Sequence, residues 1–365
     1  MKCKYCNLSA GFFRWKHKEC EEKHDNAVKE ITKIVDEAFE VSLLDDSIYE
    51  RVSRIGSDGY VGQEELHSLL FKVVESNLNN KRNMDGEFVL SFVGFLPNDV
   101  RDKLQNDKSY LRYWKDKLEE DLSDITATGQ LKREVADEFV NLLKVNSSSL
   151  RKTIINIALS GLSRKINLCL SDSLIEKDEE DSIANYIQQT KLVDTTELYC
   201  NASYVRLQQA LVIRDLQEGK KPDISAKRYE TIDIPIILGK NEYIIWAFYD
   251  VRGYEEKTGK RYTGQSRGVS CRICKGVYYR IGGTKGHIET YQYHDDLGRG
   301  TLVVTNKNII FCGEKIVKIP VGKVISYEEY SDGVELIKDA ATPKSYSFSG
   351  CDPWFIINAI QALAS

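Results

Sequence analysis

The sequence predicts an α+β protein in three parts: a small Cys/His-rich module, an α-helical middle region, and a C-terminal β region closed by one helix. Three observations carry this. Three of the nine cysteines and two of the five histidines fall within the first 24 residues. From there to about residue 225 apolar residues recur at intervals of three and four. After "EGKKPD" at 218–223 the texture changes to short runs rich in Val, Ile, Tyr and Phe, separated by Gly, Asn and Asp. A chain of 365 residues is too long for one ordinary core, so two or three domains are expected. The expected boundaries are 1–25, 26–225 and 231–365, and a break near 145–170 would divide the middle region into two helical subdomains.

Composition narrows the function classes. The formal charge is -4, which gives no global reason to expect a reader of phosphate backbones. Any such role must be local. No run of eighteen apolar residues exists, and the first residues lack the apolar core and small-residue cleavage site of a secretory signal. A cytoplasmic protein without a transmembrane segment is expected, and its odd cysteine count, with Cys169, Cys200 and Cys312 each alone among apolar neighbours, points to thiols rather than disulfides.

In the opening stretch, "MKCKYCNLSAGFFRWKHKECEEKH", Cys3 and Cys6 form a C-x2-C pair that a tight turn would aim at one point. His17, Cys20 and His24 follow at spacings of three and four, which share one helix face. That is how a second pair of tetrahedral zinc ligands is usually presented. Four of Cys3, Cys6, Cys20, His24 and His17 are therefore expected to hold zinc, with His17 or His24 as the fourth. A complete set of soft ligands is the mark of a closed, structural site. Catalysis would need an open position and a general base, for which Glu19, Glu21 and Glu22 are the nearest carboxylates. The stretch resembles the zinc-ribbon and zinc-finger modules at the start of many bacterial proteins, which bind nucleic acid in some cases and protein in others. Arg14, Lys16, Lys18 and Lys23 would be the phosphate contacts on the nucleic-acid reading. The interleaved Glu19, Glu21, Glu22 and Asp25 favour a solvated mixed face.

The middle region reads as helices. "NAVKEITKIVDEAFEVSLL" puts Val28, Ile31, Ile34, Val35 and Phe39 on one face, and "DEFVNLLKV", "LRKTIINIALSGL" and "ASYVRLQQALVIRDLQ" repeat the style. "SDGYVGQEE" at 57–65 and "SDSLIEKDEE" at 171–180 form a faint repeat. A calcium loop would place its first and third ligands at Arg54 and Gly56, so the oxygen cage is missing, and helix starts with early carboxylates are expected in both places. The region holds one further histidine, His67, and no acid–base pair at helical spacing.

The last segment reads as a strand meander. Leu302, Val304, Ile309 and Phe311 flank a "TNKN" turn, and strands follow at Ile316–Ile319 and Val324–Tyr330. "SDG" at 331–333 signals a hairpin in which Gly333 would supply a positive φ. Asp352 and Pro353 cap a closing helix with Trp354, Ile357, Ile360 and Leu363 at a spacing of three. The order "GTLVVTNKNIIF", "KIPVGKVISYEEYSDGVEL", a strand ending "SFSG" and an amphipathic helix resembles bacterial PH-like and GRAM-like domains. The resemblance implies a PH-like β-barrel or bent seven-stranded sheet plugged by the helix over 231–365. It also implies a binding module for phosphoinositide head groups, peptides or proteins.

In lipid-binding members, basic residues of the first hairpin loop hold the phosphates. The matching stretch here is expected to be a Gly-containing loop carrying Arg252, Lys257, Lys260, Arg261, Arg267 and Arg272 against Glu255 and Glu256. "GQSRG" at 264–268 matches a nucleophile elbow only as a string, because it precedes a β stretch rather than a helix. "GGTKG" at 282–286 reads as a turn between strands. Cys271 and Cys274 could hold a second metal only with a turn or bulge and with partners such as Cys312 or His287. The functional expectation is a non-enzymatic adaptor with a structural zinc, docking on a protein or on an anionic membrane surface at which it would be peripheral. The alternative is a nucleic-acid-binding protein that uses the zinc module.

Overall fold

The computed structural model describes residues 1–10, 14–43, 45, 47–80, 84–172, 175–222, 236–274, 277–340 and 344–364; at 172 and over 258–292 it describes the backbone alone. The chain divides into two compact units, Met1–Leu207 and Gln208–Ser365.

In the first unit the Cys/His module runs directly into helix α1 (Lys18–Val41), which buries Ala27, Ile31, Ile34, Val35 and Phe39 and leaves Val28 half-buried. The apolar stripe read from the sequence is thus its core face. Helices α2 (Ile48–Asp58), α3 (Gln63–Asn80), α4 (Gly86–Phe95), α5 (Asn98–Gln105) and α6 (Lys108–Asp121) follow with short connections. Phe39 of α1 meets Phe88 and Phe92 of α4 edge-on, with centroids 5.2 and 4.8 Å away. Burial of each such ring contributes about 1.5–3 kcal/mol. The 57–65 stretch holds both a helix end and a helix start: Asp58 ends α2, and Glu64 and Glu65 lie in the first turn of α3. Gly59 between them allows α1 to approach, since a Cβ there would fall 2.1 Å from Ala27 Cβ.

Helices α7 (Arg133–Lys144), α8 (Ser148–Cys169), α9 (Lys177–Gln189), α10 (Thr196–Cys200) and α11 (Ala202–Gln217) complete the helical set. Residues 145–170, where a break was expected, are largely α8, a continuous helix with ten buried residues. Its "SSS" opening is a start signal: the Ser147 hydroxyl accepts from the Leu150 N–H at 3.1 Å. Fully buried Lys165 on α8 donates to the carbonyls of Thr126, Ala127 and Gly129 at 2.9, 2.6 and 2.8 Å. All three ammonium protons are satisfied, and the α6–α7 connection is pinned to α8. The expected helix start at 171–180 is the capping box of α9, built by Glu176 and Glu179.

The second unit contains one seven-stranded antiparallel sheet in the order β4-β3-β2-β1-β7-β6-β5. Its strands are β1 (Ile244–Cys274), β2 (Val277–Thr305), β3 (Asn308–Cys312), β4 (Ile316–Pro320), β5 (Val324–Tyr330), β6 (Gly333–Lys338) and β7 (Lys344–Ser349). The sheet is open, with β4 and β5 as its edges, so the barrel form of the expectation does not hold. The "TNKN" turn joins β2 to β3 as read. The Thr305 hydroxyl accepts from the Asn308 N–H at 2.8 Å and donates to buried Glu242 at 2.8 Å. Glu242 also accepts from Asn308 Nδ2 at 2.7 Å and from the Gly239 N–H at 2.8 Å. Against its own burial, these donors and nearby Lys318 hold the carboxyl at about 2.

Gly333 does follow the hairpin turn, but it is not among the glycines with positive φ, which among the described residues are Gly219, Gly298 and Gly350. It is needed because a Cβ there would lie 2.1 Å from the Phe348 carbonyl oxygen of β7. Helix α12 (Pro353–Ala364) closes the unit, with the Asp352 carboxylate accepting from the Phe355 N–H at 3.2 Å. Its buried face is Phe355, Ile356, Ile357, Ala359 and Ile360, while Trp354 and Leu363 stay half-buried. A repeat of three drifts off a 3.6-residue turn, so the packed face is broader than the predicted stripe and shifted from it. Phe355 packs against Trp246, tilted, and against Phe248, edge-on, both of β1, with ring centroids 5.1 and 5.9 Å away.

The largest departure from expectation lies in β1 and β2. The stretch 252–275, read as a loop from its glycines and charges, is strand for its described length, paired without a break from Tyr254 opposite Asp296 to Arg272 opposite Tyr278. "GQSRG" and "GGTKG" face one another in this ladder, Gly264 opposite Gly286 and Gly268 opposite Gly282, so neither is a turn or an elbow. Strand β7 pairs with β1 only over Arg252–Glu255, and β3 pairs with β2 only over Thr301–Val304. Beyond those residues the two strands form a ribbon paired, among the described residues, only with itself.

Candidate metal centre

The first ten residues form a tight hairpin. Lys2 bridges Ser9, the Cys3 N–H donates to Leu8 O at 2.8 Å, the Asn7 N–H returns to Cys3 O at 3.0 Å, and Asn7 takes φ +60°. Cys3 and Cys6 sit in this turn, which is why a C-x2-C spacing brings two thiols to one side. Trp15 O accepts from the Lys4 N–H at 2.9 Å and draws the next strand of chain alongside. His17 is then the N-cap residue of α1, and Cys20 lies in the first turn.

Cys3, Cys6, His17 and Cys20 converge, with all four ligand atoms within 4.8 Å of one another. His17 Nδ1 lies 3.3 Å from Cys6 Sγ and 3.7 Å from Cys20 Sγ. Its other nitrogen, Nε2, is 3.0 Å from Ser9 O. A carbonyl only accepts, so Nε2 carries the proton and the Nδ1 lone pair faces the thiols. This is the orientation that a metal-ligating imidazole requires. Cys3 is buried, and its desolvation is outweighed by the backbone N–H groups of Cys6, His17 and Tyr5, which draw the thiol down to about 6. Cys20 is pushed up to about 11 by desolvation and by the neighbouring Cys6 and Cys3. A cation would neutralise that repulsion and favour the thiolate forms. Three sulfurs and one imidazole nitrogen could hold a metal ion.

His24, the other candidate for the fourth position, is not brought into the cluster. One turn further along α1, it is buried with Nε2 3.1 Å from Glu65 Oε1 of α3 and Nδ1 3.4 Å from Asp25. Its ring lies 4.8 Å from that of Tyr5. His24 therefore ties the hairpin to α3. Of the carboxylates near the cluster, Glu21 pairs with Lys16 and Glu22 with Lys18 at 3.7 Å, and Glu19 is exposed. Those pairs also engage two of the four cations that a nucleic-acid reading of this module would use.

The expected anion-binding residues fall into two groups. Arg252 and Lys257 stand at the base of the ribbon and are matched by acids: Arg252 bonds Asp296 at 2.7 Å, and Lys257 bonds Asp295 at 2.5 Å and lies 3.3 Å from Glu255. Lys260, Arg261, Arg267 and Arg272 lie further out, where the backbone alone is described. Cys271 and Cys274 are in β1 beside an irregularity at Arg272/Cys274, and their thiols lie outside the described side chains.

One pairing escaped the sequence reading. His67 Nδ1 of α3 lies 2.7 Å from Asp99 Oδ2 of α5, beside a cavity of about 280 Å³, and Nε2 lies 3.4 Å from the Tyr49 hydroxyl. The bond to His67 holds the Asp99 carboxyl below its usual range. The partners are 32 residues apart, so no local spacing could have revealed them.

The fold and site define a mixed helical and antiparallel-sheet protein with an N-terminal Cys/His cluster that could bind a metal; no helix is long and apolar enough to cross a membrane. No family model, no curated protein and no solved structure matches the chain.

Proposed function

We propose that this is a non-enzymatic binding protein that docks on an anionic partner through the β1–β2 hairpin of a PH-like domain, with a structural zinc ion held by Cys3, Cys6, His17 and Cys20. The single observation that carries the docking role is the ribbon. Residues 258–292 contain seven lysines and arginines and one carboxylate, Glu289, in a chain whose formal charge is -4. The PH-like reading is supported by the four-plus-three strand order and by α12 packing on β1. Zinc is favoured by the soft donor set of three sulfurs and one nitrogen, and a structural role by its being a full tetrahedral complement. A reducing compartment such as the cytoplasm fits three thiols kept free as ligands.

Retention on immobilised heparin tests the reading. The native protein should be held at moderate salt, and a variant with Lys260, Arg261, Arg267 and Arg272 changed to alanine should elute near the void. Equal retention of the two proteins would remove the hairpin from the contact.

A further inference from the structure

We infer that the anionic partner is double-stranded DNA, and that the β1–β2 ribbon enters its major groove. This rests on the docking role proposed above and names the partner. Cross-strand neighbours share a face of a ribbon, and successive residues alternate between faces. The unbroken register from Tyr254 to Arg272 therefore assigns Arg261, which stands opposite Glu289, with Arg267 and Lys285 to one face and Lys260, Arg272 and Arg280 to the other. The charge is divided between both faces.

That division discriminates between partners. A membrane surface or an acidic protein face presents anions to one face of a ribbon, whereas a groove entered edge-first presents a phosphate wall to each face. The cations are also strung along the strands. From Lys260 to Arg272 is about 40 Å of extended chain, a distribution suited to a row of phosphates and too spread for one lipid head group. Two antiparallel strands with, among the described residues, no third partner fit the major groove of B-form DNA, about 12 Å wide. The deep, narrow major groove of an RNA duplex does not admit them. Between the charges, Gly264 faces Gly286 and Gly268 faces Gly282. Those steps of the ladder carry no side chain, so the ribbon is slim where it would pass the base edges. The acid-paired Arg252 and Lys257 belong to the sheet end, outside the groove.

The test is fluorescence anisotropy of the full-length native protein with a labelled duplex, with the single strand of the same sequence, and, in parallel, flotation with neutral and phosphatidylserine-containing vesicles. Six engaged phosphates predict a log–log salt slope of about −5, an affinity loss of about 10³-fold between about 50 and about 200 mM salt. Binding should be stronger for the duplex than for the strand. It should be lost when the six cations are changed to alanine, in a variant whose far-UV spectrum matches the native one. The slope is read on the native protein, so the inference stays open to refutation if that variant misfolds. Flotation on anionic vesicles without duplex binding would overturn the DNA assignment and leave the docking role standing. A strand bound as tightly as the duplex would overturn groove entry. Absence of binding to duplex, vesicles and heparin alike would overturn both readings.

Discussion

Replacing His17 or His24 separates two histidines that look equivalent in the sequence. His17→Ala removes an imidazole lone pair aimed at two thiols, so bound metal, measured by elemental analysis after dialysis, should fall from one equivalent to less than a tenth. His24→Ala removes a hydrogen bond to Glu65 and a ring contact with Tyr5. It should keep a full equivalent of metal while costing about 1 kcal/mol in urea unfolding. Metal loss in the second variant, or retention in the first, would exchange their roles.

Glu242 makes the sheet unit acid-sensitive. Its carboxyl is held at about 2, below its ordinary value of 4.5, by donors that demand a charged acceptor. The folded state binds that proton more weakly than the unfolded state does. The stabilisation is therefore complete above about pH 4.5 and is lost as the pH falls from there through 2. Hydrogen exchange at the Ile309 and Phe311 amides should accelerate, beyond the intrinsic pH effect, between pH 5 and pH 3, and Glu242→Gln should flatten that dependence while costing about 2 kcal/mol at neutral pH. An unchanged pH dependence in Glu242→Gln would place the sensitivity elsewhere.

Among the elements, the β6–β7 pair shows how a residue can be predicted correctly for the wrong reason. If Gly333 only supplied a turn, its replacement would be a matter of backbone angle. Because the replacement methyl group would press on the Phe348 carbonyl, Gly333→Ala must push β6 from β7. The expected cost is about 2 kcal/mol in denaturant unfolding. A Gly333→Ala protein as stable as the native one would show that the strands can part without penalty. The same distinction explains the long hairpin. Glycines and charges spaced along 252–275 mimic a loop when one strand is read alone, and only the facing strand, with its own glycines in register, reveals a ladder. The apolar face of α1, the Asp352 cap and the "TNKN" turn were legible because each is written within one helix or one hairpin, whereas the Ser147 cap fell in a stretch read as a break.

At the scale of the molecule, the change from helical to β texture was plain in the sequence, because each half repeats one period for over a hundred residues. What the sequence hid is long-range: the His67–Asp99 pair across two helices, the buried ammonium of Lys165 holding a distant connection, and the choice between His17 and His24. That choice turns on which side of α1 faces the hairpin, and a helix face marks several positions as equivalent until something packs on one of them.

The four residues that could hold a metal all lie between positions 3 and 20, so closing such a site would order a short segment and the first turn of α1 at little entropic cost. The sheet is the opposite case: β1 and β2 must bring Ile244 to Thr305 across some sixty intervening residues before their ladder is complete. Because residues 3–20 precede the sheet in the chain, a metal bound there could be captured during synthesis before the β1–β2 ladder exists. Occupancy of the centre would then report on the first turn of α1 and carry no information about the sheet, whose pairing is far longer in range.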